Sequence, residues 1–173
     1  MRHKYFLILF PVLLLFISSQ AATLQQAYQQ AQPGMGYDRL IILKADSLYL
    51  GGLTVFNESI GIKGNGALID LQGSRIEVRG TSMFDMDACV VVNGTDGLFI
   101  EGETTAMITH CTFFANQIGI RYESPVGYIE IVNSILAFNS QYGFACDENT
   151  YSILHYIDAY QNGLMDYAKW CVS

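Results

Sequence analysis

The segments ITHCTFFAN (residues 108–116) and IVNSILAFN (residues 131–139) follow one pattern, and this pattern decides the fold. In both, an apolar residue is followed three positions later by a small residue and two positions after that by a second apolar residue, and the segment ends in asparagine. The same spacing of three residues and then two precedes four asparagines that recur every 23 residues: Asn93, Asn116, Asn139 and Asn162. A repeat of roughly 20 to 50 residues is typical of a solenoid.

Each repeat predicts short β-strands. The apolar segments lack the 3.6-residue period of a helix and are interrupted by Gly, Asn and Ser. One repeat cannot bury its apolar face alone, but coils stacked at the ~4.8 Å spacing of neighbouring strands bury a continuous core. We therefore predict an all-β fold, a parallel β-helix of about six coils over residues 39–173.

The asparagine of each repeat falls at a turn, where this residue tolerates left-handed backbone angles and bonds to nearby backbone groups. Asparagines stacked at equal height can also bond to one another along the cylinder. The four are therefore predicted to form a structural ladder and to have no catalytic role. Cys89 and Cys111 fall in an inward column with Ser134 and Ile157. They are expected to be small buried thiols, with a disulfide between them as the alternative.

Residues 1–21 have the organisation of a secretory signal peptide. Arg2 and Lys4 form a basic start, residues 5–17 are almost wholly apolar, and small residues precede a cleavage point after Ala21. The alternative is an uncleaved anchor, although the apolar run is short for a span of ~20 residues. Cleavage removes Arg2 and Lys4 and lowers the formal charge from −7 to −9 (7 − 16 = −9). We expect a protein that is secreted, periplasmic or on the cell surface, without a further membrane span.

Residues 22–38 are predicted to hold a short helix that caps the first coil. Thr23 is a candidate N-cap, and residues 33–34 (Pro-Gly) stop the helix. Its apolar face is formed by Leu24, Ala27, Tyr28 and Ala31. At the other end, residues 166–173 resemble the middle of a coil, so the β-helix is predicted to be truncated or uncapped there. This pattern favours either missing C-terminal coils or end-to-end self-association.

The composition excludes several classes of function. The chain has 9 basic and 16 acidic residues and no Lys/Arg cluster after residue 4, so nucleic-acid binding is not expected. Its four cysteines and three histidines do not have the spacing of a zinc site. We expect no cofactor, with Ca²⁺ as the one candidate ion.

The opening of the predicted β-helix resembles a known class. The resemblance is carried by residues 40–43, 52–55 and 60–64, which follow the helix, and by the coils built on asparagine and glycine. These segments resemble the right-handed parallel β-helix proteins of the pectin-lyase-like class over essentially the whole chain after the signal peptide. The resemblance implies a right-handed solenoid with an asparagine ladder. It leaves the function open, because this fold hosts lyases, hydrolases, esterases, adhesins and spacers.

The catalytic signatures of this class are incomplete here. Residues 93–97 (NGTDG) only approximate the Asn-Thr-Asp motif of polygalacturonase-like hydrolases, whose Asp-Asp, Gly-His-Gly and Arg-Ile-Lys motifs are missing. The Arg-x-Pro-x-x-Arg setting of pectate-lyase-like enzymes and the pectin-esterase pattern are also absent. The sequence therefore favours a role without catalysis. The alternative is a polysaccharide lyase or glycoside hydrolase that acts on acidic polysaccharide.

A few residues are candidates for chemistry. Asp85 and Asp87 would share one strand face, with His110 one coil further on at nearly the same height. These three are candidate acid and base residues, and the two aspartates are candidate Ca²⁺ ligands. Their alternative role is a solvated acidic patch. Arg121 stands alone between apolar neighbours and is either a catalytic base or a surface charge.

Some of the 11 tyrosines must be exposed, because other residues fill the inward columns. The candidate sugar-stacking residues are Tyr128, Tyr142, Tyr156 and Tyr160. Aromatic rings stack on the C–H faces of pyranoses while polar groups bond the hydroxyls. We expect an exported surface, binding or structural module that interacts with a polysaccharide or cell-surface glycan. A contiguous row of exposed aromatic residues would distinguish this binder from the remaining alternative, a spacer that binds nothing.

Overall fold

A computed structural model of the protein describes residues 21–168 and 171. The predicted signal peptide lies outside the described residues, except for Ala21. In the part of the chain that is described, no helix has the length and apolar character needed to cross a membrane.

The described chain is a parallel β-solenoid of six coils with a single short helix, which confirms the predicted fold class. The elements are β1 (Ala22–Thr23), α1 (Leu24–Gln30), β2 (Gln32–Gly34), β3 (Tyr37–Ile42), β4 (Leu48–Leu50), β5 (Leu53–Phe56), β6 (Ser59–Asp70), β7 (Ile76–Arg79), β8 (Met83–Val92), β9 (Asp96–Glu101), β10 (Thr105–Thr109), β11 (Thr112–Phe114), β12 (Ile118–Glu123), β13 (Tyr128–Val132), β14 (Ile135–Ala137), β15 (Tyr142–Cys146), β16 (Tyr151–His155), β17 (Asp158–Tyr160) and β18 (Met165–Tyr167). Coils 1 to 6 consist of β3–β5, β6–β7, β8–β9, β10–β12, β13–β15 and β16–β18.

The coils stack so that each position of the repeat recurs at the same point of the wall. The long sheet follows the order β1-β4-β6-β8-β10-β13-β16, and the second sheet the order β18-β15-β12-β9-β7-β5. One inward column shows the consequence, since its members are paired strand to strand and are all buried: Ile60, Phe84, Ala106 and Ile129. Outward positions form columns in the same way, because side chains alternate along a strand. A surface feature can therefore repeat once per coil along the solenoid axis.

The helix α1 lies at the N-terminal end of the solenoid and packs against β1, β3 and β5. Leu24 is fully buried there. Thr23 and Gln26 form a capping box, in which the Gln26 N–H donates to Thr23 Oγ1 at 3.0 Å and the Thr23 N–H donates to Gln26 Oε1 at 3.1 Å. The following Pro-Gly segment is part of β2, which pairs antiparallel with β3. The N-terminal region is therefore a helix plus a hairpin.

Three of the four repeat asparagines form a ladder. Asn116 Nδ2 donates to Asn139 Oδ1 at 3.2 Å, and Asn139 Nδ2 donates to Asn162 Oδ1 at 2.9 Å. Asn93 lies outside this ladder and is exposed. Equivalent residues of coils 3 and 4 are 22 positions apart at this point, whereas successive asparagines of the ladder are 23 positions apart. Gly94 therefore occupies the position below Asn116, and its N–H donates to Asn116 Oδ1 at 2.8 Å. The prediction that all four asparagines form one ladder is therefore wrong for Asn93.

The four cysteines fall into two pairs with different chemistry. Cys89 and Cys111 are free and buried, as expected, and no disulfide joins them. A hydrogen bond with Cys111 and burial raise the pKa of the Cys89 thiol, which keeps this thiol protonated and unreactive. Cys146 of β15 forms a disulfide with Cys171, at a Cα–Cα distance of 5.5 Å. The covalent link thus joins coil 5 to the chain that follows β18.

Candidate functional site

Three exposed aromatic rings stand in a row across coils 4, 5 and 6. We call Phe114, Phe138 and Tyr160 the aromatic row. The ring centroids of Phe114 and Phe138 are 5.4 Å apart, and those of Phe138 and Tyr160 are also 5.4 Å apart. Each residue is 41–45% exposed although its ring contacts a neighbour. Since each coil supplies one ring, the row runs along the solenoid axis.

Phe138 reaches this row from an unusual backbone conformation. It follows β14 directly and has a φ of 55°, in the left-handed region that bulky residues avoid. Equivalent positions of the other coils also have positive φ and hold Asn93, Ala115 and Gln161. The turn therefore imposes this conformation in coils 3 to 6. A phenylalanine there costs about 1 kcal/mol or more and remains half exposed.

A shallow groove of about 350 Å³ lies beside Phe138, the middle residue of the aromatic row. Its lining includes the Phe138 ring and the polar residues Asn93, Thr95, Gln117 and Ser140. Thr95, Gln117 and Gln141 occupy equivalent positions just before β9, β12 and β15, and we call them the polar column. The polar column offers one hydroxyl or amide per coil. The groove thus combines an aromatic surface with uncharged hydrogen-bonding groups.

The four tyrosines predicted for sugar stacking are not brought together. Tyr160 belongs to the aromatic row. Tyr128 begins β13, and the half-buried Tyr142 begins β15. Tyr156 is 85% exposed and lies in the turn between β16 and β17, beside the His155 ring. These residues occupy different positions around the coil, so they do not form one platform.

Phe114 and Phe138 are not predicted by the repeat. Phe138 lies one position later in its repeat than Phe114 and Tyr160 do in theirs, so the row does not appear as a constant interval. One local signal does mark it. A bulky aromatic residue directly precedes Asn139, where the corresponding repeats have Ala115 and Gln161.

Asp87 and His110 are brought into contact. His110 Nδ1 lies 2.9 Å from Asp87 Oδ1, and the Thr109 hydroxyl donates to the same oxygen at 2.8 Å. Burial alone raises the pKa of Asp87, but the hydrogen bonds from His110 and Thr109 outweigh it and hold this pKa below its ordinary value. Both side chains are half exposed or more. The contact is therefore compatible with a solvated ion pair and with an acid–base pair.

Asp85 is engaged by other groups. It accepts the Tyr37 hydroxyl at 2.6 Å and the Met107 N–H at 3.1 Å. The hydrogen bond to Asp85 raises the pKa of Tyr37 to about 12. Over residues 21–168 and 171, no group of three or more His, Cys, Asp or Glu side chains is placed to hold a metal ion. Asp85 and Asp87 thus find no third protein ligand of these types for Ca²⁺.

Arg121 lies in a network of ion pairs on the second sheet. Its Nε donates to Asp96 Oδ1 at 2.9 Å, and its Nη1 is 3.6 Å from Glu123 Oε1. The Asp96 carboxylate is almost fully buried and is also contacted by Arg75 at 3.5 Å. Two guanidinium groups therefore compensate one buried carboxylate.

Comparison with protein-family models, curated proteins and solved structures found no match for this chain. The class of the protein is given by its own fold, a parallel β-solenoid of about six turns.

Proposed function

We propose that this protein is an exported carbohydrate-binding solenoid of the pectin-lyase-like class, and that it binds glycan on the aromatic row. The observation that carries the proposal is the contiguous series of exposed rings at Phe114, Phe138 and Tyr160, spaced by 5.4 Å. A spacer without a ligand has no need of such a row. The residue type at Phe138 supports the same conclusion, because the equivalent left-handed position holds Asn93, Ala115 or Gln161 in coils 3, 4 and 6 and a half-exposed ring in coil 5.

The chemistry of the groove fits a sugar. Aromatic rings offer a polarisable face to the C–H groups of a pyranose, and hydroxyl or amide side chains bond its hydroxyls. Phe138, Gln117 and Ser140 line one groove and supply both kinds of contact. The Cys146–Cys171 disulfide supports the exported location, because disulfides persist mainly in oxidising compartments.

The test uses Phe138→Asn, because asparagine adopts the left-handed conformation readily. The variant removes the ring and relieves the backbone, so its thermal unfolding should match that of the wild type. On an array of immobilised polysaccharides, it should bind the recognised glycan about tenfold more weakly. Phe56→Asn is the matched control, since Phe56 is 64% exposed at the end of β5, outside the row. Failure of the wild type to bind any glycan, or equal binding by Phe138→Asn, would refute the proposal.

The contact between Asp87 and His110 favours one second candidate, cleavage of a polysaccharide by this acid–base pair. Incubation with polyuronates and with neutral polysaccharides, followed by assay of reducing ends, tests it. Cleavage that is lost in His110→Ala supports the enzyme. Absence of cleavage by the wild type would overturn this second candidate.

A further inference from the structure

We infer that the ligand is an uncharged, unbranched polysaccharide whose chain lies parallel to the solenoid axis, with one sugar unit per coil. This inference rests on the proposed function and adds the class and the direction of the glycan. It follows from the periodicity of the two surface columns and from their charge.

The aromatic row and the polar column share one direction and one step. The aromatic row supplies one ring per coil in coils 4 to 6, and the polar column supplies one polar side chain per coil in coils 3 to 5. Both steps are set by the stacking distance of the coils, about 4.8 Å. One pyranose unit of a linear glycan has a similar length. A chain laid along the axis therefore meets both a ring and a polar side chain in coils 4 and 5, whereas a chain laid across the coils meets one ring only.

The charge of the groove and of the whole chain favours a neutral ligand. The described residues that line the groove carry no ionisable side chain, and the whole chain has a formal charge of −7. The described arginines are already paired with carboxylates, as Arg39 is with Glu58 and as Arg75, Arg79 and Arg121 are on the second sheet. A uronate or a sulfated sugar would therefore meet an acidic protein without a free arginine beside the groove. A neutral glycan avoids this repulsion.

The number of coils that hold an exposed ring sets the length of glycan that the aromatic row can contact. In coil 3 the position equivalent to Phe114 is occupied by Val92, which has no ring to stack on a sugar. Coils 4 to 6 thus provide three exposed rings in the described chain, with the planes of neighbouring rings inclined by 58° and 75°. The middle position, Phe138, contacts both neighbouring rings and should contribute to every chain that spans the row.

Isothermal titration calorimetry with neutral oligosaccharides of two, three and five units tests this arrangement. The series should be derived from the polysaccharide recognised on the array, with oligogalacturonides of the same lengths for comparison. We expect the trisaccharide to bind about fivefold more tightly than the disaccharide, and the pentasaccharide to add little. Phe138→Asn should abolish the gain from two to three units, and Phe56→Asn should preserve it.

The two proposals fail in different ways. Tighter binding of oligogalacturonides, or equal affinity for all lengths, would overturn the axial neutral chain, while the glycan-binding function would stand if Phe138→Asn still weakened binding. If Phe138→Asn changed the affinity for no saccharide, both proposals would fall.

Discussion

At the scale of single residues, the buried asparagine ladder has the largest predicted effect on stability. The Asn139 amide donates to Asn162 Oδ1 and to the Phe113 carbonyl, and its oxygen accepts the backbone and side-chain N–H groups of Asn116. Asn139→Ala leaves several of these buried groups without partners. We expect the free energy of unfolding to fall by about 3 kcal/mol, measured by urea denaturation.

Asn93→Ala is the matched control for the ladder. Asn93 is exposed and bonds only to Asp70 among the described side chains, at 3.1 Å. Its replacement should cost about 1 kcal/mol, mainly because alanine must adopt the left-handed backbone. Equal losses in the two variants would contradict the division between a three-membered ladder and an external Asn93.

Tyr37 gives a prediction about pH. Its hydroxyl donates to Asp85 at 2.6 Å, and this bond, with burial, raises its pKa from 10.0 to about 12. Because the folded pKa is raised, the stabilisation is fully present below pH 10 and is lost as the pH rises through 12. Tyr37→Phe should reduce stability by about 1 kcal/mol at pH 8, and the difference should close at high pH.

The measurement for Tyr37 combines chemical denaturation with NMR titration of carbon-13-labelled tyrosine rings. The titration should contain a resonance with a pKa near 12 that is missing in Tyr37→Phe. A Tyr37 resonance that titrates near 10 would show that the bond to Asp85 does not form in solution.

Sequence reasoning at this scale succeeded for three ladder residues and failed at Asn93 for a visible reason. Asn93 follows Val91 by two positions, whereas Asn116 follows Phe113 by three and Asn139 follows Leu136 by three. Because coil 3 has one residue fewer between its last apolar residue and Asn93, this asparagine lies one position away from the ladder. The constant interval of 23 residues is therefore misleading there. A constant interval between identical residues predicts equivalent positions only when the spacing to the preceding apolar residue is also the same in each repeat.

At the scale of elements, α1 shows how a short helix is fixed by its ends and by its buried face. Thr23→Ala removes one half of the capping box and should destabilise the protein by about 1 kcal/mol. Hydrogen exchange should accelerate in β1, β3 and β5, which α1 contacts, and should not change in coil 5, because coils interact mainly with their neighbours. Gln25→Ala, at an exposed helix position, is the control. It should leave the rates of hydrogen exchange unchanged both in the strands that α1 contacts and in coil 5. Acceleration throughout the solenoid would contradict this local role.

The elements themselves were predictable because the burial of one strand face repeats in every coil. The helix was also predictable, since Thr23 and the apolar face at Leu24, Ala27 and Tyr28 are local signals. The hairpin of β2 and β3 was not predictable. Its two strands pair across the turn between them, and the Pro-Gly pair before that turn is equally typical of the end of a helix. The aromatic row was also not predictable, because the turn places Phe138 one position later in its repeat than the other two rings of the row are in theirs.

At the scale of the whole molecule, stability is distributed along a one-dimensional stack, so the disulfide should act locally. Cys146 and Cys171 are 25 residues apart, and their link restrains the segment that contains all of coil 6. The Cys146→Ser/Cys171→Ser variant should lose about 2–4 kcal/mol of stability in this segment. Hydrogen exchange should accelerate in β16 to β18 and remain unchanged in coils 1 and 2.

The same variant also distinguishes the contributions of the two cysteine pairs to local stability. Adding dithiothreitol to the wild type should reproduce the exchange pattern of the Cys146→Ser/Cys171→Ser variant, because the reductant breaks the same link. Adding it to the variant should change nothing further, since Cys89 and Cys111 are free thiols. A further loss of protection at β8 and β11 would mean that these two residues are bonded in solution. In that case covalent restraints would lie at the middle of the stack as well as at its end, and reduction of the wild type would lower protection in coils 3 and 4 in addition to coil 6.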